Sequence, residues 1–472
     1  MEGLGDIVRI GKIARLTGTV AVTAALTIFG LKLVGADFSP LSGDQSFRQF
    51  LTTYSLLSKG YYRPTDTKSL MHGAISGMVD ALNDPFSRYM DPAMTARFRE
   101  MVTSRFVGIG AVLTQDGGQA AIRSIVPGSP AQKAGIRPGD VLLTVNGVAT
   151  KNLSLEQTVE RIRGKAGTHV HMTIDRMGNV LSFSVLRTTI HETTVYARML
   201  PDRIGYIVIT QFSEDTAQSF VRSLDILQSN GMKALVIDVR DDPGGYLQTV
   251  NKIADSLLPK GAVIEQIENR NHQRDVFKST GTKLHIPMVA LVDSGSASAA
   301  EILAASLQES AHVPLIGERT YGKGTVQETQ EFADGSSLKL TIARWLTPDG
   351  TWIHKVGIAP TIAIPTPGYF HLPPLAMTAL HPLQLNNNSV SVAVLQRMLL
   401  ALGYSVDRTD GYFDLSTKQA VATFQRMHKL PISGVVDNAT AYLLNVSILS
   451  RRERQDPALT AALGYLQTKL MR

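Results

Sequence analysis

The stretch VALVDSGSASAAEILAASLQES, Val289–Ser310, joins an apolar run to an alanine-rich one through three serines that alternate with glycine and alanine. Its start belongs to IPMVALVD, Ile286–Asp293, which has the unbroken hydrophobicity of a strand buried on both faces. AAEILAASLQES is a strong helix former, so Ser298 falls at the helix start with Glu301 three residues on, the spacing of a capping box. A serine at that position is more often a cap than a nucleophile. Two features favour chemistry. Gly295, Ala297, Ala299 and Ala300 leave room for a substrate backbone, and the helix end with the following amide faces a developing oxyanion. Ser296, two residues earlier, is the alternative.

Working outward, residues 196–366 alternate strands and helices. RIGYIVIT, ALVIDVR and HVPLIG are further buried strands, TAQSFVRSLDILQSN is an amphipathic helix, and LKLTIARWLTPDG adds a strand near the end. A nucleophilic serine needs a base, and no histidine lies in a glycine-flanked loop near the motif. GERTYGKGTVQE, Gly317–Glu328, offers Lys323 between Gly322 and Gly324. An unperturbed lysine, with a pKa of about 10.4, is protonated at neutral pH, so burial must lower it. The same loop matches G-x-x-x-x-G-K, but Gly324 stands where a phosphate-binding loop needs a hydroxyl, which argues against an ATPase.

The 472-residue chain has 44% apolar and 18% charged residues, a net charge of +7 and no cysteine. Its length predicts about three domains. The mild charge, without a basic stripe interleaved with aromatics, argues against nucleic acid as a partner. Disulfides and thiolate metal sites are excluded. Arg9, Lys12 and Arg15 precede LTGTVAVTAALTIFGLKLVGA, Leu16–Ala36, whose only charge is Lys32. Basic residues ahead of such a run predict export, as a cleaved signal or a retained membrane anchor. Residues 37–105 read as a helical cap with a turn cluster, DPFSRYMDP, outside any site.

Residues 106–190 resemble a PDZ domain, through GIGA, Gly108-Ile109-Gly110-Ala111, and SPAQKAGIRPGD. In that resemblance the inward-turned amides of GIGA hold a peptide's terminal carboxylate. After a Pro-rich linker, LQRMLLALGY, DGYFDLSTKQAVATFQ and LPISGVVDNATAYLL resemble peptidoglycan-binding domains of the three-helix type, with the turn at Asp410-Gly411. The remaining residues read as a basic solvated linker and one last helix.

DSGSASAAEI, GERTYGKGTVQ and VIDVRDDPGG together resemble the C-terminal (tail-specific) processing peptidases. The resemblance implies Ser298 as nucleophile, Lys323 as general base, Gln327 positioning the lysine, and an oxyanion hole from the amides of Gly244 and Ala299. It also implies that no metal or organic cofactor is needed. One departure stands out. Asp241 and Asp242 replace the family's asparagines, so both carboxylates are expected to point away from the hole.

The expected fold class is multidomain α/β: a signal or anchor segment (1–36), a helical cap (37–105), a PDZ domain (106–190), a ClpP/crotonase-like protease core (191–368), a linker (369–385), a three-helix wall-binding domain (386–446) and a helical tail (447–472). The expected function is an exported, cell-wall-associated serine endopeptidase acting on polypeptides with apolar C-termini, with peptidoglycan and membrane as partners and a homodimeric state. A catalytically inert PDZ and wall-binding scaffold is the alternative.

Overall fold

The computed structural model describes residues 44–116, 119–151, 153–176, 178–281, 284–375 and 382–471. The Leu16–Ala36 segment and the Gly117-Gly118 turn lie outside the described residues. Among those described, no helix is long and apolar enough to cross a membrane.

Two compact units divide between Asn83 and Asp84. The first holds α1 (Gln45–Gly60) and α2 (Thr67–Asp80), capped by Asp44 and Asp66, whose carboxylates accept the N–H groups of Ser46 and of Lys68 and Ser69. α1 buries no residue and α2 buries only Val79, so Leu56, Tyr62 and Met78 are exposed.

The second unit opens with β1 (Arg88–Met90) and α3 (Pro92–Thr103), which Asp91 caps through the Met94 N–H. Next come β2 (Arg105–Gly108), β3 (Ala111–Asp116), β4 (Gln119–Ile125), α4 (Pro130–Lys133), β5 (Val141–Val145), β6 (Val148–Ala149), α5 (Leu155–Ile162), β7 (His169–Arg176), β8 (Asn179–Leu186) and β9 (Thr188–His191). An antiparallel sheet runs β3-β4-β5-β7-β8 with β6 beside β5, while β2 pairs with β9. The apolar run FVGIGAVLTQ therefore serves two sheets. It divides at Gly110, where φ is +77° and a Cβ would come within 2.2 Å of the Ser129 Cβ.

The α/β core contains β10 (Val195–Leu200), β11 (Ile204–Ile209), α6 (Thr216–Ser229), β12 (Ala234–Asp238), α7 (Leu247–Asp255), β13 (Val263–Asn269), β14 (Arg274–Lys278), β15 (Met288–Val292), α8 (Ala299–Ala305), β16 (Leu315–Gly317), β17 (Thr325–Glu331), β18 (Ser337–Leu346) and β19 (Ile362–Ala363). Its main sheet has the order β10-β11-β12-β15-β16-β19 and is parallel from β11 onward, with Ile237 opposite Ala290 and Leu291 opposite Ile316. The LKLTIARWL run lies in a second, antiparallel sheet, β1-β18-β13-β14, with β17 paired to β18.

A parallel sheet must be covered on both faces. On one, Ile237 and Ala290 share a core with Phe220 of α6, Val250 of α7 and Ile302 of α8. The other face is covered from the far end of the chain. There α9 (Val390–Ala401), α10 (Leu415–Met427) and α11 (Asn438–Arg454) form a helical domain around Leu395, Phe424 and Leu444, and α12 (Pro457–Leu470) follows. Ala458, Leu459, Ala462 and Leu466 of α12 pack on Tyr206, Val236, Val289 and Leu291. The solvated linker expected before this helix is absent, because α11 continues to Arg454. Asp456 caps α12 through the Leu459 N–H and also binds Arg240, which a second carboxylate, Asp238, holds at 2.6 Å. The Pro-rich linker packs as well, with Leu372 and Leu375 joining the helical domain's core.

Candidate active site

β15 delivers Asp293 to the carboxyl end of the parallel sheet, where α/β proteins gather their functional loops. Asp293 is buried and accepts the N–H groups of Asp241, Gly295 and Ser296. Ser296 is fully buried; its hydroxyl donates to the Val239 carbonyl at 2.7 Å and accepts the Asp293 N–H at 3.0 Å. Those bonds tie the ends of β12 and β15 together and leave Ser296 no freedom for chemistry. Ser298 is the partly exposed serine at the start of α8. Its φ of +55° with ψ of −114° is a sparsely populated backbone state for a residue with a Cβ, and such strain is concentrated at functional turns.

Glu301 connects this turn to the lysine loop. Its Oε2 accepts the backbone N–H of Ser298 at 2.9 Å and that of Lys323 at 2.8 Å. Its Oε1 accepts the Thr320 hydroxyl at 2.6 Å and the Gly322 N–H at 2.7 Å. The side chain is fully buried, so all four bonds form away from water. The capping-box spacing revealed one of these partners, and the other three are contacts across the fold. The chain's two tryptophans complete the loop: Trp345 Nε1 donates to the Lys323 carbonyl and Trp352 Nε1 to the Gly324 carbonyl, each at 2.8 Å.

Burial pushes the Lys323 ammonium below the usual lysine range, nearby Lys339 adds to this, and Glu301 and Asp84 oppose it. The ammonium lies over the Phe86 ring, 5.1 Å from its centroid, and makes no hydrogen bond to the Ser298 hydroxyl. DPFSRYMDP, expected to lie outside any site, is thus part of this one. It is drawn in because β1 pairs with β18, setting Arg88 opposite Lys339. Gln327 sits at a bulge in β17; its Nε2 donates to Thr325 and Thr341 hydroxyls, not to the lysine. His354, also missed from sequence, packs against Gly324, stacks on Trp352 and meets Phe86 edge-on. Its Nδ1 is buried without a partner, and burial lowers its pKa.

The Pro243-Gly244 turn approaches from the end of β12. A Cβ on Gly244 would come within 2.8 Å of the Ser298 Cβ and 2.9 Å of the Ala299 nitrogen, so only glycine fits here. Asp241 and Asp242 behave differently from each other. Asp241 is exposed, whereas Asp242 is fully buried and its Oδ1 accepts the Gly244 N–H at 2.8 Å. The expectation that both point away therefore fails for Asp242. Burial raises its pKa to about 8, so its carboxyl is protonated at neutral pH and places no charge at the turn.

In the PDZ-like sheet, the Ile109 and Gly110 carbonyls accept the N–H groups of Ala131 and Val126, both at 2.8 Å. Ile109 is buried, and β3, which starts at Ala111, is an edge strand with only β4 beside it. Among the described residues no cluster of side chains has the makings of a metal site.

Residues 203–364 match the family model for peptidase family S41, residues 388–444 that of a putative peptidoglycan binding domain, residues 122–176 that of a PDZ domain, and residues 35–94 that of the activating protease CtpB N-terminal domain. The carboxy-terminal processing protease CtpA of Bacillus subtilis (strain 168) is 38% identical over 96% of this chain and 97% of its own length. CtpB of the same organism is 41% identical over 90% of this chain and 89% of its own. A solved structure of a photosystem II D1 C-terminal processing protease is 29% identical and covers 68% of this chain and 87% of that one, with a TM-score of 0.43. On the strength of the two full-length relatives, this chain belongs to the carboxy-terminal processing serine proteases, with a PDZ domain and a peptidoglycan-binding domain flanking the catalytic core.

Proposed function

We propose that Ser298 and Lys323 form the catalytic dyad of an endopeptidase. The observation that carries this is the pair of bonds from one Glu301 oxygen to the Ser298 and Lys323 N–H groups. They set the serine turn and the lysine loop in fixed register, the pre-organisation a dyad requires. In the arrangement described, the ammonium rests on Phe86. Loss of its proton, favoured by burial, removes the attraction to the ring and frees the amine to reach the Ser298 hydroxyl. The amine then takes the hydroxyl proton as Ser298 attacks the scissile carbonyl. The amides of Ala299 and Gly244 stabilise the oxyanion, the lysine returns its proton to the leaving amine, and water resolves the acyl-enzyme. Gln327 orients the lysine in this reading, once its side chain turns from Thr325 and Thr341.

The wider reading is a protease working outside the cytoplasm. The peptidoglycan-binding domain supports a wall-associated location, and the apolar run Leu16–Ala36 supports export with a cleaved signal or a retained membrane anchor. The free edge of β3 beside GIGA suits capture of a polypeptide's apolar C-terminus by strand addition. The uncovered apolar residues of α1 suit a homodimer. The test is cleavage of an unfolded protein with an apolar C-terminus, with Ser298→Ala and Lys323→Ala beside the parent. Both variants should lose activity while staying folded; an active Ser298→Ala protein sinks the proposal.

A further inference from the structure

Among the described residues, Asp242 is the one fully buried carboxyl that bonds directly to a proposed oxyanion donor. Its Oδ1 holds the Gly244 N–H at 2.8 Å, its Oδ2 is buried with no partner, and its own carbonyl accepts the Ala297 N–H at 2.9 Å. The carboxyl is therefore built into the junction between the glycine turn and the serine turn. Charged groups on the surrounding segments are engaged elsewhere or exposed. Arg240 is bonded to Asp238 and Asp456, and Asp293 to the N–H groups of Asp241 and Gly295. Glu301 holds the Ser298 and Lys323 N–H groups, and the Lys323 ammonium lies over Phe86. Asp241 is exposed. No cation is bonded to Asp242 to stabilise a negative charge on it.

We propose that Asp242 works as a neutral carboxylic acid that latches the Gly244 amide, and that its ionisation closes the oxyanion hole. The inference rests on the reading of Gly244 and Ala299 as the oxyanion donors. A neutral carboxyl's C=O is a modest acceptor, so a substrate oxyanion outcompetes it for the Gly244 N–H. A carboxylate binds the same N–H in a charge-assisted bond, roughly twice as strong, and repels the oxyanion as well. The acid form does what an asparagine amide would do at this position, with a proton that can be lost. Because burial sets the acid's pKa near 8, the closure falls on the alkaline side of neutrality. Asp242 is thus a positioning residue that adds a pH limit of its own to the reaction.

The experiment measures kcat/KM of the full-length protein from pH 6 to pH 10 on a peptide with an apolar C-terminus, for the parent and for Asp242→Asn and Asp242→Ala. The ratio of Asp242→Asn to parent should rise about tenfold between pH 7 and pH 9, since the parent's neutral fraction falls by that factor for a group titrating near 8. Asp242→Ala should lower kcat near pH 7, since the turn loses its latch, and its profile should lack the alkaline limb, so its deficit against the parent narrows towards pH 10. A ratio that stays flat overturns the proposal, as does an Asp242→Asn protein that is folded by circular dichroism yet inactive throughout. Labelling of Ser298 by a fluorophosphonate separates the two readings. If Ser298→Ala still cleaves, the dyad assignment fails; if Ser298 is labelled and required while the ratio is flat, only the role of Asp242 fails.

Discussion

The backbone N–H groups of Ser298 and Lys323 donate to the same oxygen, Oε2 of Glu301, at 2.9 and 2.8 Å. Two loops that leave different strands are thereby fixed to one buried carboxylate. Glu301→Ala would leave four donors facing a dry cavity, and each buried unsatisfied group costs about 1–3 kcal/mol. The expected outcome is a stability loss of at least about 3 kcal/mol in urea unfolding, together with loss of activity. Glu301→Gln keeps one carbonyl acceptor but turns an NH2 group toward donors, so it should fall between the two. Parental activity in either variant would contradict the bridging role.

Ser296→Ala separates the two neighbouring serines. Its hydroxyl joins Asp293 and Val239, so the variant should be destabilised by about 1–3 kcal/mol. A fluorophosphonate should still label Ser298 in the folded variant. Loss of that labelling would move the nucleophile to Ser296.

The acid limb of the pH profile should belong to Lys323, because only its neutral form accepts a proton. Burial and the nearby Lys339 charge both hold its pKa below the usual value. Lys339→Met removes the like charge, which raises the Lys323 pKa. Activity should then appear at higher pH than in the parent, measured as a shift of the acid limb of kcat/KM. A shift in the other direction, or none, would assign that limb to a different group.

Much of the candidate site was legible in the sequence. Ser298, Lys323 and the glycine turn announce themselves through a strand-to-helix junction, a lysine between glycines and a Pro-Gly-Gly turn, all of them local signals. Phe86, His354 and the two tryptophans were not legible, because they reach the lysine loop through β18 itself, its pairing with β1 and the segment after it, contacts with no local signature. The orientation of Asp242 could not be read either, since a carboxylate's usual preference for water predicts the outward direction and burial with a bound proton reverses it. In the fold, the buried strands β11, β12 and β15 were plain from their apolar runs. The role of α12 was hidden, because its apolar stripe identifies a helix but not the sheet face it covers.

Glu265 supplies a test of stability in place of activity. It is fully buried, and burial, opposed by the neighbouring Asn251 side chain, raises its pKa from 4.5 to about 8. Between those values the folded state keeps a proton that the unfolded chain releases, so this group makes stability fall as pH rises through that window. Glu265→Gln removes the effect. Its gain in Tm over the parent should be small at pH 5 and larger at pH 8; a gain independent of pH would mean that the carboxyl is not held neutral.

The dyad itself is tested most directly by trapping the acyl-enzyme. A peptide ester with an apolar side chain, mixed with the full-length protein and quenched in acid, should leave an acyl group on the tryptic peptide containing Ser298, detected by mass spectrometry. The adduct should be absent from Ser298→Ala and form far more slowly in Lys323→Ala. An adduct on another residue, or turnover that survives replacement of Ser298, would contradict the account.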